Sequence, residues 1–312
     1  MDGQIRIGLE AVEPAPSVVA IGFFDGVHRG HQSLISRAQK AAGEHGVRTV
    51  VVTFDRHPME VVNPGARPPL LMGLDQRLRT LADLDVDLVV ALPFDDDLRH
   101  LAPDDFVAHV LGGALQARHV VVGANFRFGH KAAGDVTTLA DLGPSFGFTS
   151  EAVTLLEVDG VVISSTEIRG AVERGDVEQA RRWLGRPHTL EGIVVRGDQR
   201  GRELGYPTAN LLLDDRAAIP AEGVYAGRFR LVDGTWRPAA ISVGRNPTFE
   251  GITAVRVEAF VIDFADDLYG VEAAVSFTHH LRGQQRFDSV EELVAQMGDD
   301  VEETRRLLAE DG

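Results

Sequence analysis

The chain has 312 residues, 31 Lys+Arg against 47 Asp+Glu, 44% hydrophobic residues and no cysteine. At about 150 residues per domain this length points to two domains, and the ordinary apolar content excludes a disordered or fibrous chain. The net charge of -16 argues against a dedicated nucleic-acid or membrane-surface binder, which needs a broad cationic face, and the lack of Cys excludes disulfides, thiolate metal sites and cysteine nucleophiles. Only Lys40 and Lys131 are lysines. Neither lies in a G-x-x-x-x-G-K-[ST] loop, so a P-loop nucleotide site is excluded. Residues 1–16 are acidic and lack the apolar core of a signal peptide. Apolar runs such as Leu88–Leu92 fall far short of the ~20 residues that span a bilayer. A soluble cytoplasmic protein is the expectation.

In chain order, residues 18–22 read as a buried strand and 31–45 as a helix. Residues 47–54 form a second strand, 74–84 a helix, 88–92 a third strand, 104–111 a helix and 119–122 a fourth strand. Such alternation predicts a parallel sheet covered by helices on both faces. Its ligands bind at the carboxyl ends of strands, which singles out the loops after Gly22, Phe54 and Gly123. Residues 164–184 read as helical, interrupted at Gly175-Asp176. Gly185-Arg186-Pro187 then breaks the pattern and marks a domain boundary. Beyond Thr189, short β-rich runs at 190–195, 223–232, 239–243 and 255–264 are separated by Gly, Pro and Asp, as in a small antiparallel barrel. Residues 289–309 carry Val290, Leu293, Val294, Met297, Val301 and Leu308 at helical spacing, which fits a closing helix or two.

The first strand runs into Gly22-Phe23-Phe24-Asp25-Gly26-Val27-His28-Arg29-Gly30-His31. A His-x-Gly-His turn opening a helix sets two imidazoles beside free backbone N–H groups and the positive end of the helix dipole. Gly30 lets a ligand approach closely. That arrangement suits an anionic phosphate whose charge grows during displacement. The plainer alternative is a pair of surface loop histidines. A zinc site is weaker still, with no third ligand nearby. Ser164, Ser165, Thr166 and Arg169 begin a helix. Ser164 and Glu167 match a capping box, yet three hydroxyls and an arginine at a helix start also make a triphosphate cradle.

F-D-G-V-H-R-G-H followed by I-S-S-T-x-x-R resembles the FMN adenylyltransferase module of the prokaryotic bifunctional riboflavin kinase/FAD synthetases, members of the nucleotidylyl transferase superfamily. Thr53-Phe54-Asp55-Arg56-His57-Pro58 and the stretch 123–129 fit the same module, with Arg56 where the family often has proline. The resemblance implies a Rossmann-like α/β parallel-sheet domain. In it Gly22, Phe24, Asp25, Gly26, His28, Gly30, His31, Ser164, Ser165, Thr166 and Arg169 hold ATP, while Phe54, His57, Pro58 and Asn125 place nucleotide and flavin. FMN phosphate is already an anion at pH 7, so its attack on the α-phosphorus of ATP needs charge neutralisation and no base.

Past the boundary lies Arg200-Gly201-Arg202-Glu203-Leu204-Gly205-Tyr206-Pro207-Thr208-Ala209-Asn210. Thr208 and Asn210 sit two apart, aimed the same way if extended, and such a pair can share a Mg²⁺ whose other ligands are waters and nucleotide phosphates. This segment resembles the G-x-P-T-A-N motif of riboflavin kinases, with Tyr206 for the usual Phe. Residues 243–249 and 256–260 match the family's next two signatures. The resemblance implies a six-stranded antiparallel barrel with C-terminal helices, in which Gly201, Gly205, Pro207, Thr208 and Asn210 hold ATP and Mg²⁺. Glu258 shares a strand face with Arg256, and the two could be no more than a weak surface pair. In the kinase reading Glu258 is the base, since the riboflavin hydroxyl, with a pKa near that of water, about 15.7, needs its proton taken as it attacks the γ-phosphorus.

The domains expected are therefore 1–186, an FMN adenylyltransferase, and 187–312, a riboflavin kinase, converting riboflavin through FMN to FAD with ATP and Mg²⁺. The alternatives are retention of only one activity, or a non-catalytic flavin or nucleotide sensor. Partners are expected to be small molecules, with no nucleic acid and no membrane; the sequence sets no oligomeric state. The runs of aspartate at 95–97, 214–215, 266–267 and 299–300 read as solvated loops or helix starts. His279-His280 read as ordinary barrel residues, and Trp183 and Trp236 as packing.

Overall fold

The structure, a computed structural model, describes residues 4–154, 156–197, 204–247 and 253–311. Strands β1 (Ile5–Ile7), β2 (Ser17–Ile21), β3 (Arg48–Phe54), β4 (Leu88–Leu92), β5 (Ala117–Gly123) and β6 (Thr149–Val153) form one sheet in the order β1-β4-β3-β2-β5-β6. Every pair in it is parallel. The central strands are near-continuous apolar runs because a parallel sheet is covered on both faces; β2 and β4 are buried at every position. The edge strands β1 and β6 are short and half-exposed, and their mixed sequences escape periodicity.

Strand order reverses at β2, which has β3 on one side and β5 on the other. The crevice beyond the carboxyl ends of β2 and β5 is thus the topological switch point, where open α/β sheets bind ligands. Helix α1 (Arg29–His45) follows β2 and packs on β2, β3 and β5. Helices α2 (Pro58–Val62) and α3 (Leu74–Ala82) lie between β3 and β4, and α4 (Asp96–His100) follows β4. The stretch expected as a helix at 104–111 begins as α5 (Pro103–Phe106) and continues as a π-helical segment, Val107–Ala114. Helix α6 (Val136–Leu142) precedes β6, and a hairpin of β7 (Glu157–Val158) with β8 (Val161–Val162) follows it.

By contact density the chain divides into two compact units, Met1–Pro68 with Leu74–Ser164, and Pro69–Gly73 with Ser165–Gly312. Helices α7 (Ser165–Glu173) and α8 (Val177–Leu184) belong to the second. Val177 joins the barrel core, and Glu178 accepts the His280 N–H at 2.9 Å. The short segment 69–73 pairs there too: Leu70 N–H donates to the Arg216 carbonyl at 2.6 Å, and its own carbonyl accepts the Ala218 N–H at 2.8 Å.

The rest of the second unit is the expected barrel. Strands β9 (His188–Val195), β10 (Thr208–Leu213), β11 (Gly223–Arg230), β12 (Trp236–Pro247), β13 (Thr253–Val261) and β14 (Glu272–Arg282) close in the order β10-β13-β12-β11-β14-β9. Side chains such as Tyr225, Phe229, Ile241, Val257, Ala259 and Phe277 fill it. Where β11 crosses β14 the backbones approach so closely that a Cβ on Gly227 would lie 1.8 Å from the Ser276 carbonyl oxygen. The C-terminal stretch is one helix, α9 (Val290–Glu310), with Ser289 Oγ accepting the Glu292 N–H at 3.2 Å as its N-cap. It is tied to β14 by the ion pair of Asp300 with Arg282, 2.7 Å long and largely buried.

Candidate active sites

The first site is built on the strand ends of the switch point. After β2 the chain turns sharply through left-handed backbone at Phe24 (φ 58°), Gly26 (φ 78°) and Val27 (φ 39°). For a β-branched residue such a conformation is a real outlier, and it persists only where the surroundings over-determine it. Here they do, since Phe24 is 2% exposed and Val27 0%. The turn delivers His28 as N-cap of α1, its Nδ1 accepting the His31 N–H at 3.3 Å. With Nδ1 an acceptor, neutral His28 carries its proton on Nε2. The two imidazoles stack at 3.5 Å between centroids, 21° from parallel, and Phe24 meets His31 edge-on at 5.2 Å. His28 is 5% exposed, which removes the surface-loop alternative for it. Gly30 lies against this pair, and the Ile163 carbonyl stands 3.8 Å from where its Cβ would be, so the strand leading to Ser164 reaches the same turn.

The loop after β3 contributes Phe54, His57 and Pro58. His57 caps α2 in a full capping box, with Nδ1 accepting the Met59 N–H at 3.1 Å and the Glu60 carboxylate accepting the His57 N–H at 3.0 Å. Pro58 occupies the first turn, where its missing N–H does no harm. Phe54 packs edge-on against Phe94 at 5.6 Å, and His57 against Phe23 at 4.7 Å. Arg56 grips its neighbour Asp55 at 2.8 Å, and Asp55 also accepts the Phe94 N–H at 2.8 Å. Burial alone would raise the Asp55 carboxyl; the hydrogen bonds from Arg56 and Phe94 and the Arg56 charge outweigh it and hold it below the usual range. The loop is thus fixed by a fork where the family often has a proline ring. Asn125, exposed at the end of β5, has its Oδ1 3.2 Å from where a Cβ on Gly123 would be.

Sequence reasoning missed Arg77. It reads as one more polar residue of an amphipathic helix, yet it is 1% exposed. Its guanidinium lies 4.1 Å from the Phe23 ring centroid and donates to the Phe54 carbonyl. Burial pushes it down to about 10, with Asp25, Asp55 and Glu60 opposing the fall, so it remains charged at neutral pH. The division of the chain falls between Ser164 and Ser165. In the second unit Ser165, Thr166 and Arg169 lie in the first turns of α7, where Arg169 donates to Thr166 Oγ1 at 3.4 Å.

The second site lies on the outer face of the barrel. Asn210 on β10 stands directly opposite Glu258 on β13, and Ser242 on β12 stands opposite Glu258 on its other side, so the three side chains form a row across adjacent strands. Inward neighbours Val257, Ala259 and Val261 are buried in the core. Ile262, beyond the end of β13, is buried, and Val255 is 37% exposed. Thr208 Oγ1 comes within 3.5 Å of Glu258 Oε2. On one side of this contact is a cavity of about 280 Å³ lined by Pro207, Thr208, Asn210, Asp266, Asp267 and Tyr269. On the other is one of about 530 Å³ lined by Ser242, Arg245, Arg256, Glu258 and Gln284. Two compartments meeting at a hydroxyl and a carboxylate suit transfer of a group from a donor in one to an acceptor in the other. Gly197 passes so close to Asn210 that a Cβ there would be 2.3 Å from the amide nitrogen, which holds the amide in place. Gly205 (φ 85°) turns the chain into Pro207, and Tyr206 packs on Phe260 at 5.1 Å. Gly201 lies outside the described residues. Asp266 and Asp267 are exposed in a loop, as read from sequence, and they also border the Thr208 cavity. Of the tryptophans, Trp183 is core, whereas Trp236 is 38% exposed with Arg230 over its ring.

Among the described residues no group of three or more His, Cys, Asp or Glu could hold a metal ion, and no helix is long and apolar enough to cross a membrane. The FAD synthetase family matches residues 10–167 and the riboflavin kinase family residues 184–308. The chain is 39% identical to the bifunctional riboflavin kinase/FMN adenylyltransferase of Pseudomonas fluorescens, covering 98% of both chains. It is 38% identical to that of Listeria monocytogenes (94% of this chain, 92% of the other) and 35% identical to that of Escherichia coli K12 (94% of each). A crystal structure described as a macrolide-efflux protein from Streptococcus pneumoniae superposes with a TM-score of 0.87 at 34% identity, covering 96% of this chain and 98% of that one. Two family matches in series, near-full-length relatives and a parallel-sheet unit followed by a closed barrel all agree: the chain belongs to the bifunctional riboflavin kinase/FMN adenylyltransferases.

Proposed function

We propose that residues 187–312 phosphorylate riboflavin with ATP to give FMN and ADP, and that residues 1–186 then join FMN to ATP to give FAD and pyrophosphate, in the cytoplasm and on small molecules alone. The observation that carries the kinase half is the 3.5 Å contact of Thr208 with Glu258 where two cavities meet. Thr208 and Asn210 supply two neutral oxygens on one face beside Glu258, a donor set that fits a Mg²⁺ completed by water and nucleotide phosphates. Bound there, Mg²⁺ would neutralise phosphate charge on ATP. Glu258 takes the proton of the riboflavin hydroxyl as its oxygen bonds to the γ-phosphorus and ADP leaves. Gly201, Gly205 and Pro207 serve ATP.

For the adenylylation, the stacked pair His28/His31 at the start of α1 supports a role in holding ATP phosphates, together with the N–H groups and positive end of that helix. An FMN phosphate oxygen bonds to the α-phosphorus and pyrophosphate leaves. The turn 22–30, Ser164, Ser165, Thr166 and Arg169 serve ATP, and Phe54, His57, Pro58 and Asn125 place flavin and nucleotide. Incubation with riboflavin, ATP and Mg²⁺ should yield FMN and then FAD with pyrophosphate, and chelation of Mg²⁺ should stop both. FMN without FAD removes the first assignment; no phosphorylated flavin removes both.

A further inference from the structure

Arginine side chains on helices ordinarily lay their stems along the surface and keep the head in water. Arg77, in the first turn of α3, does the reverse and is among the largest fully buried side chains of the described residues. An apolar residue would fill such a site without the penalty of taking a charge out of water, so its retention calls for a use. The guanidinium reaches two loops at once. It lies on the ring of Phe23, 4.1 Å from the centroid, in the loop after β2, and it donates to the carbonyl of Phe54 in the loop after β3. Phe23 in turn meets His57 edge-on at 4.7 Å, and Asp25, Asp55 and Glu60 supply the opposing charge. One rigid fork therefore spans the segment that begins α1 and the segment that ends in the capped turn of α2. A lysine would keep the charge but not the planar face or the fork.

We propose that Arg77 is a positioning residue for the adenylylation, holding the Phe54–Pro58 loop in register with the His28/His31 turn so that the FMN acceptor meets the bound ATP. This rests on the reading that those two loops hold FMN and ATP. Its expected signature is selective. Arg77→Lys, which keeps a cation beside Asp25, should raise KM for FMN at least tenfold while KM for ATP stays within about threefold. Arg77→Met, which also leaves Asp25 without that cation, should raise both. Formation of FMN from riboflavin by the same preparations should stay within twofold of the parent. A purely structural arginine would lower the active fraction, and so kcat, with both KM values unchanged. That result in Arg77→Lys overturns the proposal, as does an unchanged KM for FMN or loss of both activities. His28→Ala, assayed alongside, separates the two levels: if it adenylylates FMN normally, the assignment of the loops has failed rather than the role of Arg77.

Discussion

Replacing Gly30 by alanine isolates the geometry of the first site from its stability. The new Cβ would stand 3.2 Å from both Cε1 and Nδ1 of His28, so the imidazole must give by a few tenths of an ångström. It cannot retreat freely, because it is stacked at 3.5 Å on His31 and its cap bond is already long at 3.3 Å. Losing that cap costs about 0.5–2 kcal/mol, while alanine for glycine within a helix gains up to ~1 kcal/mol. The two nearly cancel, and the melting temperature should move by no more than a few degrees. Activity should not cancel. If an ångström of misplacement near the reacting atoms lowers a rate roughly 100-fold, a few tenths lowers it about 4- to 10-fold. The assay is FAD formed from FMN and ATP, with FMN formed from riboflavin by the same sample as the control. Unchanged FAD formation, or an equal fall in both activities, would show that the placement of the His28 imidazole does not set the adenylylation rate.

Two further outcomes concern the barrel. Gly227→Ala puts a Cβ 1.8 Å from the Ser276 carbonyl oxygen and 2.8 Å from Ile241 Cδ1; since the nearer obstacle is backbone of the paired strand, β11 and β14 must separate. We expect a loss at or above the ~1–3 kcal/mol typical of overpacking, with kinase activity falling in proportion to the unfolded fraction seen by circular dichroism. Burial pushes His188 down to about 4, the Ala218 carbonyl at 2.7 Å partly opposing it. An unfolded histidine titrates near 6.5, so between those values the unfolded chain binds more protons and stability falls as pH drops. The full effect is about 3 kcal/mol, absent above pH 6.5 and complete below about 4. Urea unfolding should show it, and His188→Gln should remove it from that window.

The sheet was legible because a parallel strand buried on both faces has no alternation to misread: 18–22 and 88–92 needed only length and flanking breakers. Edge strands Ile5–Ile7 and Thr149–Val153 were not, since their burial depends on neighbours distant in sequence. The barrel emerged from Gly, Pro and Asp spacing, and of the helix or two expected at the end one forms, running unbroken through Gly298 and the acidic residues Asp299, Asp300, Glu302 and Glu303. At the sites, His28, His31, Thr208, Asn210 and Glu258 could be named through the family motifs in which they lie, not from local pattern alone. Arg77 could not, because nothing local distinguishes an arginine that tertiary packing turns inward from one left in water. The same holds for Leu70, whose pairing with residues 216–218 no spacing predicts.

In the proposed function one chain carries two chemically separate sites, one resting on Glu258 and the other on the His28/His31 turn. Following flavins over time in Glu258→Ala and His28→Ala separates the two. Glu258→Ala should make no FMN from riboflavin but convert supplied FMN to FAD at the parent rate, His28→Ala should accumulate FMN and make no FAD, and mixing the two should restore FAD from riboflavin. Loss of both activities in either folded variant would contradict two separate sites.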